Sequence, residues 1–133
     1  MSTITTHVLD AALGKPAAGI AVRLEKLGGG GWLEVPDIDV IDGEPPERVR
    51  DAPCDWVEVA ASVTDADGRC RDLAADAPQG DYRLTFDTGS YLKRLGRSSI
   101  YPEISITFRC DGKGHYHLPL LLCDNSYTTY RGS

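Results

Sequence analysis

The chain has 133 residues, 41% of them hydrophobic, and a formal net charge of −6. This length suits one compact domain with a single core rather than two domains. The acidic residues are dispersed and no basic stripe or polybasic patch is present, so neither nucleic acid nor a membrane surface is an expected partner.

The chain ends and the cysteines indicate the compartment. The N-terminus has neither a basic region nor a hydrophobic signal core, and the longest apolar run, residues 118–122, is interrupted by Pro119. We therefore expect a cytoplasmic location. Four widely spaced cysteines form no Cys-x-x-Cys pair, and reduced thiols are expected in that compartment. They are Cys54, Cys70, Cys110 and Cys123.

The N-terminal half favours short strands over long amphipathic helices. Residues 4–9 and 20–26 alternate apolar and polar residues on either side of a turn at 14–16, which predicts a hairpin-like unit. Residues 27–55 change to four consecutive glycines followed by scattered prolines and acidic residues, which predicts a long surface loop. Within and just after this loop, residues 32–35 and 56–59 are possible strands.

The C-terminal half continues the pattern with one short helix. Asp and Gly predict a tight turn over residues 64–69, and residues 81–86 alternate as a strand. Asp87 or Thr88 can cap a helix that ends near Gly96 and buries Tyr91, Leu92 and Leu95. Residues 104–108 and 116–122, joined by the turn at 111–114, are predicted to form a β-hairpin. The sum is a small, mostly β sandwich.

Polar residues with catalytic potential are few. His115 and His117 are separated by one residue, so a strand places both imidazoles on one face. If His7 lies on a neighbouring strand, these rings and Arg69 can converge on one polar site. Each of these residues also has an ordinary interpretation as a surface or hydrogen-bonded side chain.

Metal binding is the alternative interpretation of the same residues. Three histidines, or histidines with a cysteine, can complete a zinc site, but the cysteine spacing does not support one. Asp65 and Asp67 begin a calcium-loop pattern that Arg71, Leu73 and Asp76 do not complete, and these aspartates can equally cap the turn. No metal is expected.

Four motifs in order resemble those of the transthyretin-like 5-hydroxyisourate hydrolases. They are THVLD at 6–10 with GKPA at 14–17, TDADGR at 64–69, HYHLPLLL at 115–122 and YTTYRGS at 127–133. The resemblance covers most of the chain and departs at about residues 27–55. It therefore implies one hydrolase domain over residues 1–133 with an inserted loop at about 27–55.

The resemblance implies an immunoglobulin-like sandwich of two four-stranded sheets with one short helix. It also implies a homotetramer with active sites at the dimer–dimer interface, and cofactor-free hydrolysis of the small molecule 5-hydroxyisourate. The residues that match the family's catalytic set are His7, Arg69 and His117, and those that match its substrate-binding terminus are Tyr130, Arg131, Gly132 and Ser133.

The chemistry of ring opening explains these residue types. A neutral imidazole, of His7 or His117, can take a proton from water, and the arginine fork can hold carbonyl oxygens and stabilise developing negative charge. Which histidine is the base is left open. The alternative function is a small-ligand carrier, because transthyretin itself has this fold, and the inserted loop can be either a passive element or a partner-binding one.

Overall fold

The computed structural model describes residues 1–28, 31–34, 48–51 and 55–132, with the backbone alone at 31–34 and 48–51. These residues form eleven strands and one helix. The elements are β1 (Ser2–Asp10), β2 (Lys15–Pro16), β3 (Ala21–Gly28), β4 (Gly31–Glu34), β5 (Arg48–Asp51), β6 (Asp55–Val63), β7 (Arg69–Ala77), β8 (Gly80–Phe86), α1 (Thr88–Arg94), β9 (Ile104–Cys110), β10 (His115–Leu122) and β11 (Tyr127–Thr129).

Two sheets make up the sandwich. The first has the order β11-β10-β1, with β7 and the two-residue β2 pairing in succession along the other edge of β1. It is thus four strand positions wide. The second has the order β6-β3-β8-β9, and β4 pairs with β5 apart from both. The predicted sandwich of two four-stranded sheets with one helix is confirmed.

The core lies between the two sheets because each strand alternates its side chains. In β1, Ile4 and Val8 are fully buried, whereas Thr5 and His7 are only half-buried on the outer side. Facing strands of the second sheet contribute large buried residues such as Tyr82 and Phe86. Burial of each such side chain stabilises the fold by about 2 kcal/mol. The outer face of the first sheet is left for polar groups.

Both predicted hairpins are wrong, because their strands lie in different sheets. Residues 4–9 belong to β1 and residues 20–26 to β3, and β1 instead pairs with β10 on one edge and with β7 and β2 on the other. Likewise β9 pairs with β8, whereas β10 runs parallel to β1. The turn at 111–114 therefore crosses between the sheets of the sandwich. At the N-terminal end, the turn after β1 instead brings β2 beside β1 in the same sheet, and the chain crosses to β3 only after β2.

The segment predicted as a loop contains paired backbone where it is described. β3 continues to Gly28, which lies opposite Asp55 at the start of β6, and β4 pairs with β5 in antiparallel register. The strand option for residues 32–34 and for residues 56–59 is therefore confirmed. Residues 29–30, 35–47 and 52–54, with Cys54, lie outside the described residues. Cys70, Cys110 and Cys123 are free thiols.

The helix begins as predicted but buries less. The Oδ1 of Asp87 accepts a hydrogen bond from the Ser90 N–H at 3.3 Å, which caps the helix at its start. Tyr91 and Leu92 are buried. Leu95 is 47% exposed, so its predicted place on the apolar face is wrong. It follows the last helical residue, where the chain turns away from the core.

At seven residues, the helix is the longest in the described part of the chain and is too short to cross a membrane.

A buried ion network ties three regions together at the end of β1. The Asp10 side chain is fully buried and accepts hydrogen bonds from Arg97 and from the Tyr91 hydroxyl, the latter at 2.9 Å. Arg97 also donates to Asp124, with 3.0 Å between Nε and Oδ1. Burial acts to raise the pKa of Asp10, but the bonds from Arg97, Tyr91 and the Leu13 N–H outweigh it and the pKa lies below its ordinary value.

We predict that Asp10→Asn lowers the free energy of unfolding by about 3 kcal/mol, because it leaves Arg97 without its buried counter-charge. Urea unfolding at one protein concentration measures the change. The Asp10 pKa is lower in the folded state than in the unfolded state. The greater free energy of unfolding of the wild type over Asp10→Asn is therefore fully present above the unfolded pKa near 3.9, and it is lost as pH falls through the lower folded pKa.

The matched control is Asp81→Asn, which breaks a pair with Arg109 whose arginine side chain is 79% exposed. An exposed pair contributes at most about 1 kcal/mol, so this variant should unfold near the wild-type midpoint. Equal midpoints for Asp10→Asn and wild type would contradict the assigned role of the buried network.

Candidate functional site

The candidate site lies on the outer face of the first sheet, where β1 has a partner on each side. Parallel pairing with β10 sets Thr5 opposite His117, and antiparallel pairing with β7 sets His7 opposite Arg69. His7 therefore lies on a strand next to those of His117 and Arg69, which is the condition that the sequence set for convergence. This placement depends on two long-range pairings that meet on one strand.

The three imidazoles form a row across β1 and β10. The rings of His115 and His117 are stacked, with centroids 6.1 Å apart and an interplanar angle of 10°, as expected for residues on one strand face. The ring of His7 lies 6.4 Å from that of His117. The Thr5 hydroxyl lies 2.8 Å from Nδ1 of His117 and 3.2 Å from Nε2 of His115.

Arg69 is positioned by the tight turn that precedes β7. Asp65 accepts hydrogen bonds on Oδ1 from the Asp67 N–H at 2.9 Å and from the Arg69 N–H at 3.0 Å, so the turn-capping role weighed for Asp65 is confirmed. Gly68 has a φ of +77°, and a Cβ there would lie 2.3 Å from the Val8 carbonyl oxygen. The turn thus packs closely on β1 and starts β7 beside His7.

A cavity of about 370 Å³ opens between these strands. Its lining residues in the described chain are Thr5, Thr6, Arg69, Arg71, His115 and His117, with two arginines and no acidic residue among them. His7 is not in this lining, although its ring lies beside that of His117. The cavity offers cationic hydrogen-bond donors and imidazole nitrogens, which suit a planar ligand rich in carbonyl oxygens.

Sequence reasoning missed Arg71 as a site residue. The sequence pattern of residues 69–77 does not predict a strand, but the structure has β7 there. Because side chains two residues apart in a strand share a face, Arg69 and Arg71 both lie on the side of the cavity.

A larger cavity of about 660 Å³ lies on the outer face of the second sheet. Its lining includes Arg23, Glu58, Asp87 and Glu103, but no histidine or cysteine among the described residues. Because it lacks a group that exchanges protons near neutral pH, we assign the candidate site to the smaller cavity on chemical grounds.

Burial and the neighbouring cationic groups favour the neutral form of His117. Its pKa is lowered from the ordinary 6.5, first by burial and then by coulombic interaction with Arg69, His115 and His7. An imidazole with a lowered pKa carries a free lone pair at neutral pH, so His117 can accept a proton there.

The C-terminal segment folds back against His117. The Gly132 N–H donates to the His117 carbonyl oxygen at 2.7 Å, and a Cβ on Gly132 would lie 2.8 Å from Cδ2 of the His117 ring. The Arg131 guanidinium lies 4.0 Å from the Tyr116 ring centroid and donates to the His115 carbonyl. Tyr130 is 54% exposed.

Gly132 is therefore hydrogen-bonded to the backbone of His117 and leaves no room for a side chain beside its ring. The side chains of Tyr130 and Arg131 are outside the cavity lining, and Ser133 lies outside the described residues. Their substrate-binding roles stay predictions. Among the His, Cys, Asp and Glu residues that the structure describes, no group of three is arranged to hold a metal ion.

We predict that Arg69→Met raises the pKa of His117 toward 6.5, because it removes a nearby positive charge while keeping a side chain of similar length. Burial is the larger cause of the lowering, so the value should stay below 6.5. A pH titration of the His117 ring by NMR measures the shift. Arg23→Met, on the other sheet, is the control and should leave the titration unchanged; an unchanged pKa in Arg69→Met would refute the assigned coupling.

We also predict that Gly132→Ala displaces the His117 ring or the C-terminal segment. The Gly132 backbone is not in the left-handed region, so the added methyl acts through the 2.8 Å contact with the ring and not through backbone strain. The ring resonances of His117 should shift. The control is Gly28→Ala, whose Cβ would make an ordinary 3.4 Å contact with Val57. Identical His117 spectra in wild type and Gly132→Ala would rule the contact out.

Comparison with known proteins agrees with the motifs. A model described as HIUase/Transthyretin family matches residues 4–132. The 5-hydroxyisourate hydrolase of Mus musculus is 39% identical over 136 residues, covering 99% of this chain and 96% of that protein.

The structure of Klebsiella pneumoniae 5-hydroxyisourate hydrolase is similar with a TM-score of 0.73 and 34% identity over 100% of both chains. Transthyretin from Sparus aurata has a TM-score of 0.76 and 28% identity over 98% of this chain and 96% of that one. The resemblance drawn from the sequence motifs is confirmed, and the chain belongs to the HIUase/transthyretin family.

Proposed function

We propose that this protein hydrolyses 5-hydroxyisourate to 2-oxo-4-hydroxy-4-carboxy-5-ureidoimidazoline, a step of urate degradation. The observation that carries the proposal is a neutral imidazole, His117, set beside Arg69 in a cavity without acidic residues in its described lining. Relatives that match nearly the whole chain bear the name of this enzyme. No cofactor enters the proposed reaction.

His117 is the favoured general base. It lines the cavity, and the lowered pKa keeps its lone pair free at neutral pH. In the proposed step the imidazole takes a proton from water, the water oxygen bonds to the substrate's ring carbonyl carbon, and the adjacent ring C–N bond breaks. The proton then passes to the departing nitrogen, so the imidazole is regenerated. His7, beside His117 but outside the cavity lining, helps orient water.

The two arginines act on the substrate. Arg69 and Arg71 line the same cavity from adjacent positions on one face of β7. A guanidinium is permanently charged and donates in a planar fork, so it can hold carbonyl oxygens and stabilise the negative charge that develops at the attacked carbonyl. In the proposed mechanism the imidazoles therefore transfer the proton, and the arginines stabilise the negative charge.

The proposed assembly is a homotetramer with its sites at the dimer–dimer interface. The cavity lies on the exposed outer face of a sheet, and Leu9 and Leu121 are only half-buried on that face. A symmetry-related copy of the same face would cover these apolar side chains and wall the open side of the cavity. The segment from Tyr130 to Ser133 would then close the site as the substrate-binding terminus.

The organisation and location of the protein follow from the same proposal. The match to one family model over residues 4–132 supports a single hydrolase domain over 1–133. The insertion at about 27–55 and the cytoplasmic location stay predictions. A partner-binding role of the insertion would give protection from limited proteolysis between residues 28 and 55 in the intact assembly, whereas a passive loop would be cut rapidly without loss of activity.

A small-ligand carrier is the alternative function, since the similar structures include a transthyretin. A carrier has no need for a neutral imidazole beside two arginines in its binding surface. Identity is also higher to the named hydrolases, at 39% and 34%, than to that transthyretin, at 28%. The hydrolase is therefore preferred.

The decay of freshly generated 5-hydroxyisourate, followed by ultraviolet absorbance, tests the proposal. We expect chelator-treated wild type to accelerate the decay, and His117→Ala and Arg69→Ala each to reduce kcat/KM by about 100-fold or more. Arg23→Ala is the matched control on the other sheet and should retain activity. Decay at the uncatalysed rate with folded wild-type protein would reject the hydrolase and favour the carrier.

A further inference from the structure

A chain of hydroxyl and imidazole groups runs along the outer face of the first sheet. The parallel register of β1 and β10 pairs Thr3 with His115 and Thr5 with His117. The Thr3 hydroxyl contacts Nδ1 of His115, and the Thr5 hydroxyl contacts both Nε2 of His115 at 3.2 Å and Nδ1 of His117 at 2.8 Å. The four side chains thus form one continuous hydrogen-bonded relay, which ends at His117.

Proton counting restricts this relay to two arrangements. A neutral imidazole carries one N–H and a hydroxyl carries one proton. His115 is bonded at both nitrogens, so one nitrogen donates and the other accepts. Thr5 is bonded to two ring nitrogens, so it donates to one and accepts from the other. The bonds therefore all point from His117 toward Thr3, or all point from Thr3 toward His117.

The direction decides which nitrogen of His117 holds the proton. When the bonds point toward Thr3, Nδ1 of His117 is protonated and donates to Thr5, which leaves Nε2 with its lone pair. When they point toward His117, the Thr5 hydroxyl donates to Nδ1 and the proton lies on Nε2. Among the described residues, Nε2 has no hydrogen-bond partner, so it is the nitrogen available to the cavity.

The base function selects the first direction. When Nε2 accepts a proton, the imidazolium must donate from Nδ1, and the Thr5 oxygen is then already an acceptor. In the reverse arrangement the Thr5 proton would have to turn away first. The relay in its first direction is compatible with both proton states of His117 without rearrangement.

We propose that Thr5 and His115 are positioning residues that hold His117 in the tautomer with the proton on Nδ1 and the lone pair on Nε2. This inference rests on the proposed hydrolase function for its purpose, but the tautomer itself is independent of any substrate. It gives a role to His115, which lies in the cavity lining beyond the set of residues matched to catalysis.

The test is the assignment of His117 ring nitrogens by nitrogen-15 NMR, at a pH where the ring is neutral, in wild type, Thr5→Val and Thr5→Ser. Wild type should show a protonated Nδ1 and an unprotonated Nε2. Thr5→Val keeps the side-chain shape without the hydroxyl, and its His117 should shift toward the Nε2-protonated form. Thr5→Ser restores the hydroxyl and should restore the wild-type tautomer.

Kinetics provide a second readout. Thr5→Val should lower kcat for 5-hydroxyisourate about 10-fold or more with KM little changed, because tautomer control affects proton transfer and not substrate binding. Thr5→Ser should recover most of kcat. The control is Thr107→Val, the same substitution at an exposed position of β9 in the other sheet, which should match wild type in both measurements.

Two results would overturn the relay: an Nε2-protonated His117 in the wild-type protein, or an unchanged tautomer in folded Thr5→Val. The wild-type spectrum alone decides the first, so the inference stays testable if Thr5→Val does not fold. Failure of the proposed function has a different signature, because wild-type protein would then leave the decay of 5-hydroxyisourate unaccelerated whatever the tautomer of His117.

Discussion

The parallel pairing of β1 with β10 is the constraint on which the site depends. Thr5 and His117 are 112 residues apart in sequence, and the register of this pairing brings them to 2.8 Å. A shift of one residue would turn the outward side chains of β1 to the core and bury the polar row. The geometry of the site therefore depends on the register of this pairing. Burial of Ile4 and Val8 on the opposite face of β1 stabilises that register.

The two faces of β1 have different roles, because the inner face stabilises the fold and the outer face carries the residues of the site. Residues of β1 that point inward pack the core or, at Asp10, join the buried network with Arg97. Residues that point outward meet the histidines and arginines. A single alternating sequence thus builds both parts, because side chains in a strand point to opposite faces in turn.

The network around Arg97 links this strand to the C-terminal segment. Arg97 bonds both Asp10 at the end of β1 and Asp124 in the turn before β11. β11 pairs with β10 and leads into Gly132, which bonds the His117 carbonyl. Interactions distant from the cavity therefore help set where the terminal residues lie. Loss of either partner of this buried ion pair would leave the other charge buried without a counter-charge, so the pair holds both segments in place.

Some properties of this protein were determined by the sequence alone. The one-residue spacing of His115 and His117 places both rings on one strand face, the Asp-Gly turn places Arg69 just after it, and Asp87 or Thr88 is placed to cap the helix. These are local consequences of strand period, turn conformation and capping. The family motifs also implied the sandwich and the set of His7, Arg69 and His117.

The tertiary structure decided which strands are neighbours, and so which side chains share the cavity. The strands of both predicted hairpins lie in different sheets, Leu95 is exposed beyond the helix, and Arg71 and Thr5 join the site through the pairing of β1 with β7 and β10. Local periodicity fixes the face of a side chain within its own strand. The partner strand is selected by burial of apolar faces between distant segments, which no short window of sequence contains.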